Sequence, residues 1–220
     1  MAGGRGLRLH PLTAHEPKPM LRVGEHPMLE TIIDRYIRQG IRDFTLCVGY
    51  KAGLISGYFK DGAGKGVKIS YINEDEPLGT AGALARYPIP NSPVIVCNGD
   101  VLCHLDVPDL LKYHEEAACT ATMVVTTWLQ QVPYGVVRMN GGYRVAQIDE
   151  KPIVDHIISA GIAVLSPKAF QYLPDEDQFD MPDFLLSLPA VAAYVLPDGM
   201  DWHDVGTFED YARASTAGAA

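Results

Sequence analysis

The 220-residue sequence lacks long hydrophobic runs, paired cysteines and histidines at metal-ligand spacing. No apolar run approaches the ~20 residues of a membrane-spanning helix, and the first residues lack the hydrophobic segment of a signal peptide. The four cysteines form no CxxC pair, and Cys47 and Cys97 lie in apolar runs typical of a reduced core. The sequence therefore predicts a cytoplasmic protein with no membrane attachment and no zinc site.

Positive charge is also scarce, with 18 lysines and arginines against 27 acidic residues and a net charge of −9. A nucleic-acid-binding face must be basic because it displaces counterions from phosphates, so nucleic acid is not an expected partner. A site for a small phosphorylated molecule needs only a few cations in a pocket and stays compatible with this charge. The composition leaves the oligomeric state open, a homo-oligomer included.

A linker rich in Gly, Ser or Pro is absent as well, so we expect a single domain over residues 1–215 followed by a tail at 216–220. Apolar residues at helical spacing over 28–37 precede an apolar run at 44–49, which reads as a buried strand. Further helices are predicted near 53–59, from Thr80 and over 107–116, and further strands at 68–72, 94–97 and 121–127. This alternation predicts an α/β fold with a doubly wound, mostly parallel, Rossmann-like sheet.

The pattern changes after Thr127. Two strands flank Asn140-Gly141-Gly142, a strong hairpin signal, and another strand follows at 157–165. We expect these antiparallel additions to form one wall of a pocket at the open end of the sheet.

The first thirteen residues are the most informative segment. Gly3, Gly4 and Gly6 allow backbone N–H groups to approach an anion closely. Arg5 and Arg8 add guanidinium groups, whose planar donors suit phosphate oxygens. Taken alone, this segment is equally compatible with a solvated glycine turn.

Three further charged residues stand at informative places. Lys18 lies between two prolines, which restrict the local backbone. Asp100 follows the predicted strand 94–97, at the strand end where open α/β sheets bind ligands. Asp204 stands in the segment 202–207, and the residues alone allow it to be either a ligand or the N-cap of a helix predicted over 207–214.

The glycine loop, the Pro-Lys-Pro segment around Lys18 and the segment 76–82 together resemble the sugar-1-phosphate nucleotidyltransferases. The resemblance runs from Met1 to about Tyr211, in the family's motif order. Met-Ala-Gly-Gly-Arg-Gly together with residues 179–183 is similar to the mannose-1-phosphate guanylyltransferase-related members. The resemblance implies transfer of a nucleoside monophosphate from a nucleoside triphosphate to a sugar 1-phosphate, with release of pyrophosphate.

The resemblance also implies roles for individual residues. Arg8, Lys18 and Asp100 would be catalytic, and Asp100 with Asp204 would bind Mg²⁺. Nucleotide binding would fall to seven residues, Ala2, Gly3, Gly4, Gly6, Glu76, Gly79 and Thr80. Sugar-phosphate binding would fall to five residues, Gly135, Glu150, Lys151, Ser159 and Gly161. Many relatives have asparagine at the position of Ser159, so the identity of the sugar stays open.

The choice of base depends on Glu76. A carboxylate only accepts hydrogen bonds, and guanine presents two donor groups on one edge, which favours GTP over UTP or dTTP. The alternative is that backbone groups read the base while Glu76 faces solvent. The family also normally has an apolar strand running into the glycine loop, so we expect a first strand to be missing upstream of Met1.

Three other interpretations stay open. One is a uridylyl- or thymidylyltransferase of the same fold. A second is a catalytically silent regulatory subunit that binds nucleotide sugars, although Arg8, Lys18, Asp100, Lys151 and Asp204 are all present. The third is a glycosyltransferase, whose donor would already be a nucleotide sugar and would not require a site for departing pyrophosphate.

Overall fold

The computed structural model describes residues 1–217 and shows a mixed α/β protein. Its α-helices are α1 (Met28–Arg38), α2 (Ala52–Phe59), α3 (Val107–Ala117), α4 (Met181–Ser187) and α5 (Phe208–Ala217). Its strands are β1 (Arg22–Val23), β2 (His26–Pro27), β3 (Asp43–Val48), β4 (Lys68–Asn73), β5 (Val94–Cys97), β6 (Val101–Cys103), β7 (Ala121–Gln131), β8 (Val136–Met139), β9 (Val145–Asp149), β10 (Ile153–Leu165), β11 (Val191–Val195) and β12 (Trp202–Asp204).

The largest sheet has the strand order β11-β7-β10-β5. Only β11 and β7 run parallel in it, because β10 pairs antiparallel with both β7 and β5. β10 returns along β7 after the β8–β9 hairpin, and a connection of that kind, without a crossover, gives antiparallel pairing. The α/β class is therefore confirmed, whereas the mostly parallel, doubly wound arrangement is not: this sheet is mixed.

Both faces of this sheet are covered. On one face Leu165 packs with Phe170 and with Phe184 of α4. On the other face Val124 and Val164 pack with Leu110 of α3. Adjacent residues of one strand thus point into different cores, as the two-residue period of a strand requires.

β3 and β4 form a separate parallel pair. Their core includes Leu29 and Ile33 from α1 and Ile55 and Phe59 from α2. The helix expected over 28–37 is confirmed as α1, whose last turn leads to Gly40 at a φ of 93°.

The first two residues lie between these two groups of strands. The Met1 amine donates to the Cys97 carbonyl at 2.8 Å, and the Ala2 N–H donates to the Cys47 carbonyl at 2.7 Å. Ala2 also forms a parallel bridge with Val48. A cavity of about 300 Å³, lined by residues of β3 and β5, lies beside them. Met1 and Ala2 therefore place the following glycines at the ends of β3 and β5.

β7 and β10 extend beyond the sheet as a two-stranded ribbon, in which residues 126–131 pair with residues 153–158. β8 and β9 form the expected hairpin next to it. Many large apolar side chains of these two segments are exposed, including Leu129, Tyr143 and Ile157.

The end of the chain differs in part from the expected tail. Residues 216 and 217 belong to α5, and residues 218–220 lie outside the described residues. Thr207 forms reciprocal hydrogen bonds with Asp210 at the start of α5, so Thr207 rather than Asp204 caps that helix. Among residues 1–217, no helix is long and apolar enough to cross a membrane.

Candidate active site

A cavity of about 480 Å³ lies where the glycine loop meets the ends of β3 and β4. Its lining includes six residues expected from the sequence, Gly3, Gly4, Glu76, Gly79, Thr80 and Asp100, and also Arg5. Tyr50 donates its N–H to the Gly3 carbonyl at 3.0 Å and so fixes the loop against the end of β3. Ala2 does not line this cavity, because it is buried in the core. Gly6 does not line it either.

Gly6 supports the cavity indirectly by turning the chain back towards Lys18. Its φ is 61°, and a Cβ on it would lie 2.9 Å from Cβ of Lys18. Thr13 donates its hydroxyl to the Gly6 carbonyl at 3.0 Å and closes the turn. A side chain at position 6 would displace Lys18, which explains why the loop needs glycine there.

Lys18 is buried, and its ammonium forms an ion pair with Asp100. Asp100 lies next to Asp204 because β12 and β6 pair antiparallel, with Asp204 opposite Val101. The Val205 N–H donates to the Asp100 carbonyl at 3.0 Å and fixes this juxtaposition. The fold therefore brings together two carboxylates that are far apart in the sequence.

The electrostatics of Asp204 reflect this arrangement. Desolvation raises the pKa of Asp204, and the nearby negative charge of Asp100 raises it further. The positive charges of Lys18 and Arg8 act in the opposite direction with smaller effect. The Arg8 guanidinium lies next to Gly206, two residues after Asp204: a Cβ on Gly206 would be 3.4 Å from Nη1 of Arg8. A divalent cation would relieve the repulsion between the two carboxylates, so the donor set fits one.

The number of protein ligands also restricts the type of metal. Within residues 1–217, no group of three or more His, Cys, Asp or Glu side chains is arranged to hold a metal ion. Mg²⁺ usually binds proteins through one or two carboxylates and completes its octahedron with water and substrate phosphates. The pair Asp100 and Asp204 fits that mode and does not fit a zinc site.

The sequence analysis missed Glu74, which also lines the cavity. A Cβ on Gly3 would lie 2.7 Å from Oε1 of Glu74, so this carboxylate lies against the glycine loop. Glu74 is half-buried, whereas Glu76 is exposed. Its position directly after β4, at the same sheet edge as the glycine loop, was the available signal.

A second cavity, of about 860 Å³, adjoins the first, and Thr80 and Asn98 line both. Ser159 and Gly161 lie in its wall, at a bulge where the pairing of β10 with β7 shifts register. The Gly161 carbonyl accepts from the Asn98 N–H at 3.0 Å. The bulge thus attaches β10 to the segment that carries Asp100. A glycine within a predicted strand is a signal for such a bulge.

The other three residues expected on the sugar side lie elsewhere. Gly135, Glu150 and Lys151 line neither cavity and are exposed at the end of the ribbon. Glu150 and Gly135 approach each other, since a Cβ on Gly135 would lie 2.9 Å from Oε2 of Glu150. The structure therefore groups Ser159 with Gly161, and Gly135 with Glu150, as two separate sets.

The chain is similar in sequence and in structure to proteins of one known family. A family model described as nucleotidyl transferase matches residues 1–219, and the chain belongs to that family. The predicted resemblance to the sugar-1-phosphate nucleotidyltransferases is confirmed.

Individual relatives agree with this class. A mannose-1-phosphate guanylyltransferase of Mycobacterium tuberculosis is 32% identical, over 98% of this chain and 62% of its own length. A UTP–glucose-1-phosphate uridylyltransferase of Synechocystis is 29% identical, over 97% of this chain and 61% of its own length. The chain thus spans about three fifths of the length of these relatives.

Among solved structures, HddC from Yersinia pseudotuberculosis matches with a TM-score of 0.76 and 29% identity, covering 98% of this chain and 96% of its own. A second structure of that protein is complexed with GMP-PN. A putative glucose-1-phosphate thymidylyltransferase from Bacillus anthracis has a TM-score of 0.78 at 23% identity, over 99% of this chain and 93% of its own, and shows the shared fold.

Proposed function

We propose that the chain transfers a nucleoside monophosphate from a nucleoside triphosphate, with GTP favoured, to a sugar 1-phosphate and releases pyrophosphate. The observation that carries the proposal is the position of Asp100, which lines the same cavity as Gly3 and Gly4, forms an ion pair with Lys18 and lies next to Asp204. We further propose that residues 1–215 act as a single catalytic domain in the cytoplasm, which the four free cysteines support.

The reaction joins two polyanions, so the site must reduce charge repulsion and align the reacting atoms. Ala2, Gly3, Gly4 and Gly6 shape the loop that would receive the triphosphate. An oxygen of the sugar phosphate would attack the α-phosphorus in line with the departing pyrophosphate. That oxygen is already ionised, so no general base is required. The Lys18 ammonium and the Arg8 guanidinium would stabilise the charge on the α-phosphate and on the leaving group.

Asp100 and Asp204 would hold Mg²⁺, which supplies charge neutralisation at the phosphates when bound. Burial of Asp204 and its repulsion by Asp100 raise the pKa of Asp204, and both favour a cation beside its carboxylate. The same features make metal binding depend on the deprotonation of Asp204.

For the base we propose guanine. Glu74 and Glu76 place two acceptor-only carboxylates in the lining of the 480 Å³ cavity, which Gly79 and Thr80 also line. Guanine offers two donor groups on one edge, whereas uracil and thymine offer one donor between two acceptors. The relative from Mycobacterium tuberculosis, which is named a mannose-1-phosphate guanylyltransferase, supports this choice.

For the sugar side we propose that the antiparallel additions form the binding wall. Ser159 and Gly161 would contact the sugar from the second cavity. Gly135 and Glu150 would contact its hydroxyl groups from the ribbon, and Lys151 would bind its phosphate. The uridylyltransferase relative keeps a second candidate open, a uridylyl- or thymidylyltransferase with the same site.

The test is a pyrophosphate-release assay with each nucleoside triphosphate and a panel of sugar 1-phosphates, with Mg²⁺ present. We expect GTP with mannose 1-phosphate to give the highest kcat/KM. Glu74→Gln and Glu76→Gln identify the carboxylate that accepts hydrogen bonds from guanine. The substitution at that carboxylate should reduce the preference for GTP by about ten- to a hundredfold, the range for a hydrogen bond to a charged group.

Each other outcome has a defined meaning. A wild-type preference for UTP or dTTP would overturn the guanine assignment and leave the enzyme class intact. Binding of a nucleotide sugar without release of pyrophosphate from any pair would identify a silent subunit. Transfer of a sugar from a nucleotide sugar would identify a glycosyltransferase.

A further inference from the structure

The loop that forms one wall of the nucleotide cavity rests on the start of α4, a segment to which the reaction gives no role. Oδ1 of Asp180 accepts two hydrogen bonds from Thr80, from its N–H at 2.7 Å and from its hydroxyl at 3.0 Å. The Thr80 hydroxyl in turn accepts from the Met181 N–H at 2.8 Å. Thr80 is therefore held to the 180–181 segment by three hydrogen bonds, two of which end on one carboxylate.

Backbone contacts continue the same attachment on both sides of Thr80. The Ala81 N–H donates to the Phe179 carbonyl at 3.1 Å, and the Phe179 N–H donates to the Leu78 carbonyl at 3.1 Å. Gly79 has a φ of 78°, and a Cβ on it would lie 2.4 Å from the Phe179 oxygen. A side chain at position 79 would separate the loop from this segment, so the close approach is a property of the sequence.

Thr80 and Asp180 also lie between the two cavities. Thr80 lines both, whereas Asp180 lines only the second. The Asp180 carboxylate thus contacts Thr80 from the side of the second cavity. Within the described residues, no side-chain hydrogen bond or ion pair joins it to the glycine loop, Asp100 or Asp204.

We propose that Asp180 is a positioning residue for nucleotide binding, which holds Thr80 and the loop around it in the shape that receives the base. This inference rests on the proposed function, because it names the site as a nucleotide site. Asp180 contributes through Thr80 to the affinity for the nucleoside triphosphate, and it does not contact the reacting phosphate.

The test compares Asp180→Ala with Asp180→Asn and with Asp183→Ala. Asp183 is an exposed acid in the first turn of the same helix and controls for the loss of negative charge there. Asp180→Ala should raise the KM for GTP about tenfold, the loss expected for hydrogen bonds to a charged acceptor, with kcat within about twofold of the wild type. Asp180→Asn keeps an acceptor oxygen and should recover most of the affinity, whereas Asp183→Ala should match the wild type.

Amide hydrogen exchange provides a measurement that does not depend on turnover. Asp180→Ala should accelerate exchange in the peptide covering residues 78–84, and Asp183→Ala should not. Equal exchange in wild type and Asp180→Ala, or a fall in kcat with an unchanged KM for GTP, would overturn the positioning role. If the wild type releases no pyrophosphate but exchange over residues 78–84 is still faster in Asp180→Ala than in the wild type, the proposed function is refuted. The attachment of Thr80 by Asp180 is then still supported.

Discussion

The inner and outer halves of β7 and β10 belong to the same two strands but have opposite environments. Residues 121–125 and 162–165 lie between β11 and β5, with a core on each face. Within residues 1–217, residues 126–131 and 153–158 pair only with each other, and they are largely exposed. Ile162 is 3% exposed, whereas Ile157, five residues away, is 62% exposed. Strand propensity alone therefore says little about where a strand is buried.

The difference bears on the candidate site, because one set of candidate sugar-binding residues lies next to the inner half and the other lies beyond the end of the outer half. Ser159 and Gly161 lie near the boundary with the inner half, where Asn98 and Trp202 donate hydrogen bonds to the bulge in β10. Glu150 and Lys151 lie beyond the end of the outer half, with solvent around them. The first set is preorganised by the fold. Among the described residues, the second set has no such hydrogen bonds from β12 or from the segment that carries Asp100, and it lies on an exposed part of the chain.

The largest effect is expected at the carboxylate pair, Asp100 and Asp204, next to the packed part of the molecule. Asp100→Asn or Asp204→Asn should lower kcat by about a thousandfold or more, because each removes charge at the reacting phosphates while keeping the side-chain volume. The measurement is pyrophosphate release at saturating GTP and sugar phosphate with Mg²⁺ present. Asp155→Asn, on the exposed outer ribbon, is the matched control and should stay within about twofold. Full activity in either pair variant would remove that residue from the metal site.

The second effect concerns stability and compares the two isoleucines directly. Ile162→Ala should lower the free energy of unfolding by about 2–5 kcal/mol, because it leaves a cavity in a packed core. Ile157→Ala should change it by less than about 0.5 kcal/mol, as for an exposed side chain. Urea denaturation of both variants measures the difference. Similar losses at the two positions would show that the outer ribbon is covered in solution.

The smallest effect tests the ribbon's proposed role. Lys151→Met should raise the KM for the sugar 1-phosphate about tenfold, by loss of a charge-assisted contact to phosphate, with the KM for GTP unchanged. Lys168→Met, an exposed lysine just after β10, serves as the control. An unchanged KM for the sugar phosphate in Lys151→Met would confine the sugar site to the inner set, Ser159 and Gly161.

Much of the fold could be predicted because its signals are local. The periodicity of α1, the apolar runs of β3 and β5 and the Asn140-Gly141-Gly142 turn each lie within a few residues of the element that they specify. The antiparallel direction of β10 was also predicted, and the pairing confirms it. Its place inside the largest sheet, between β7 and β5, was not predicted, because strand order depends on long-range pairing that the strand pattern does not encode.

The candidate site divides in the same way. Gly3, Asp100 and Glu76 could be identified from motifs, since each stands at the end of a readable element or in a characteristic segment. Glu74 could not be, because its importance comes from its contact with the distant residue Gly3. Asp180 lies in the segment 179–183 that resembles the family, but its contact with Thr80 comes from the fold and could not be predicted. Asp204 had two interpretations until the pairing of β12 with β6 placed it beside Asp100.

If the proposed function holds, the ion pair between Lys18 and Asp100 makes the binding of metal and nucleotide an exchange of counterions. A cation on Asp100 would compete with the Lys18 ammonium, and the displaced ammonium would then need a new anion. The triphosphate would provide that anion and could itself bring the cation. Metal and nucleotide should therefore bind with positive linkage, each increasing the affinity for the other by the same factor. In their absence, Lys18 keeps the acidic pair partly neutralised.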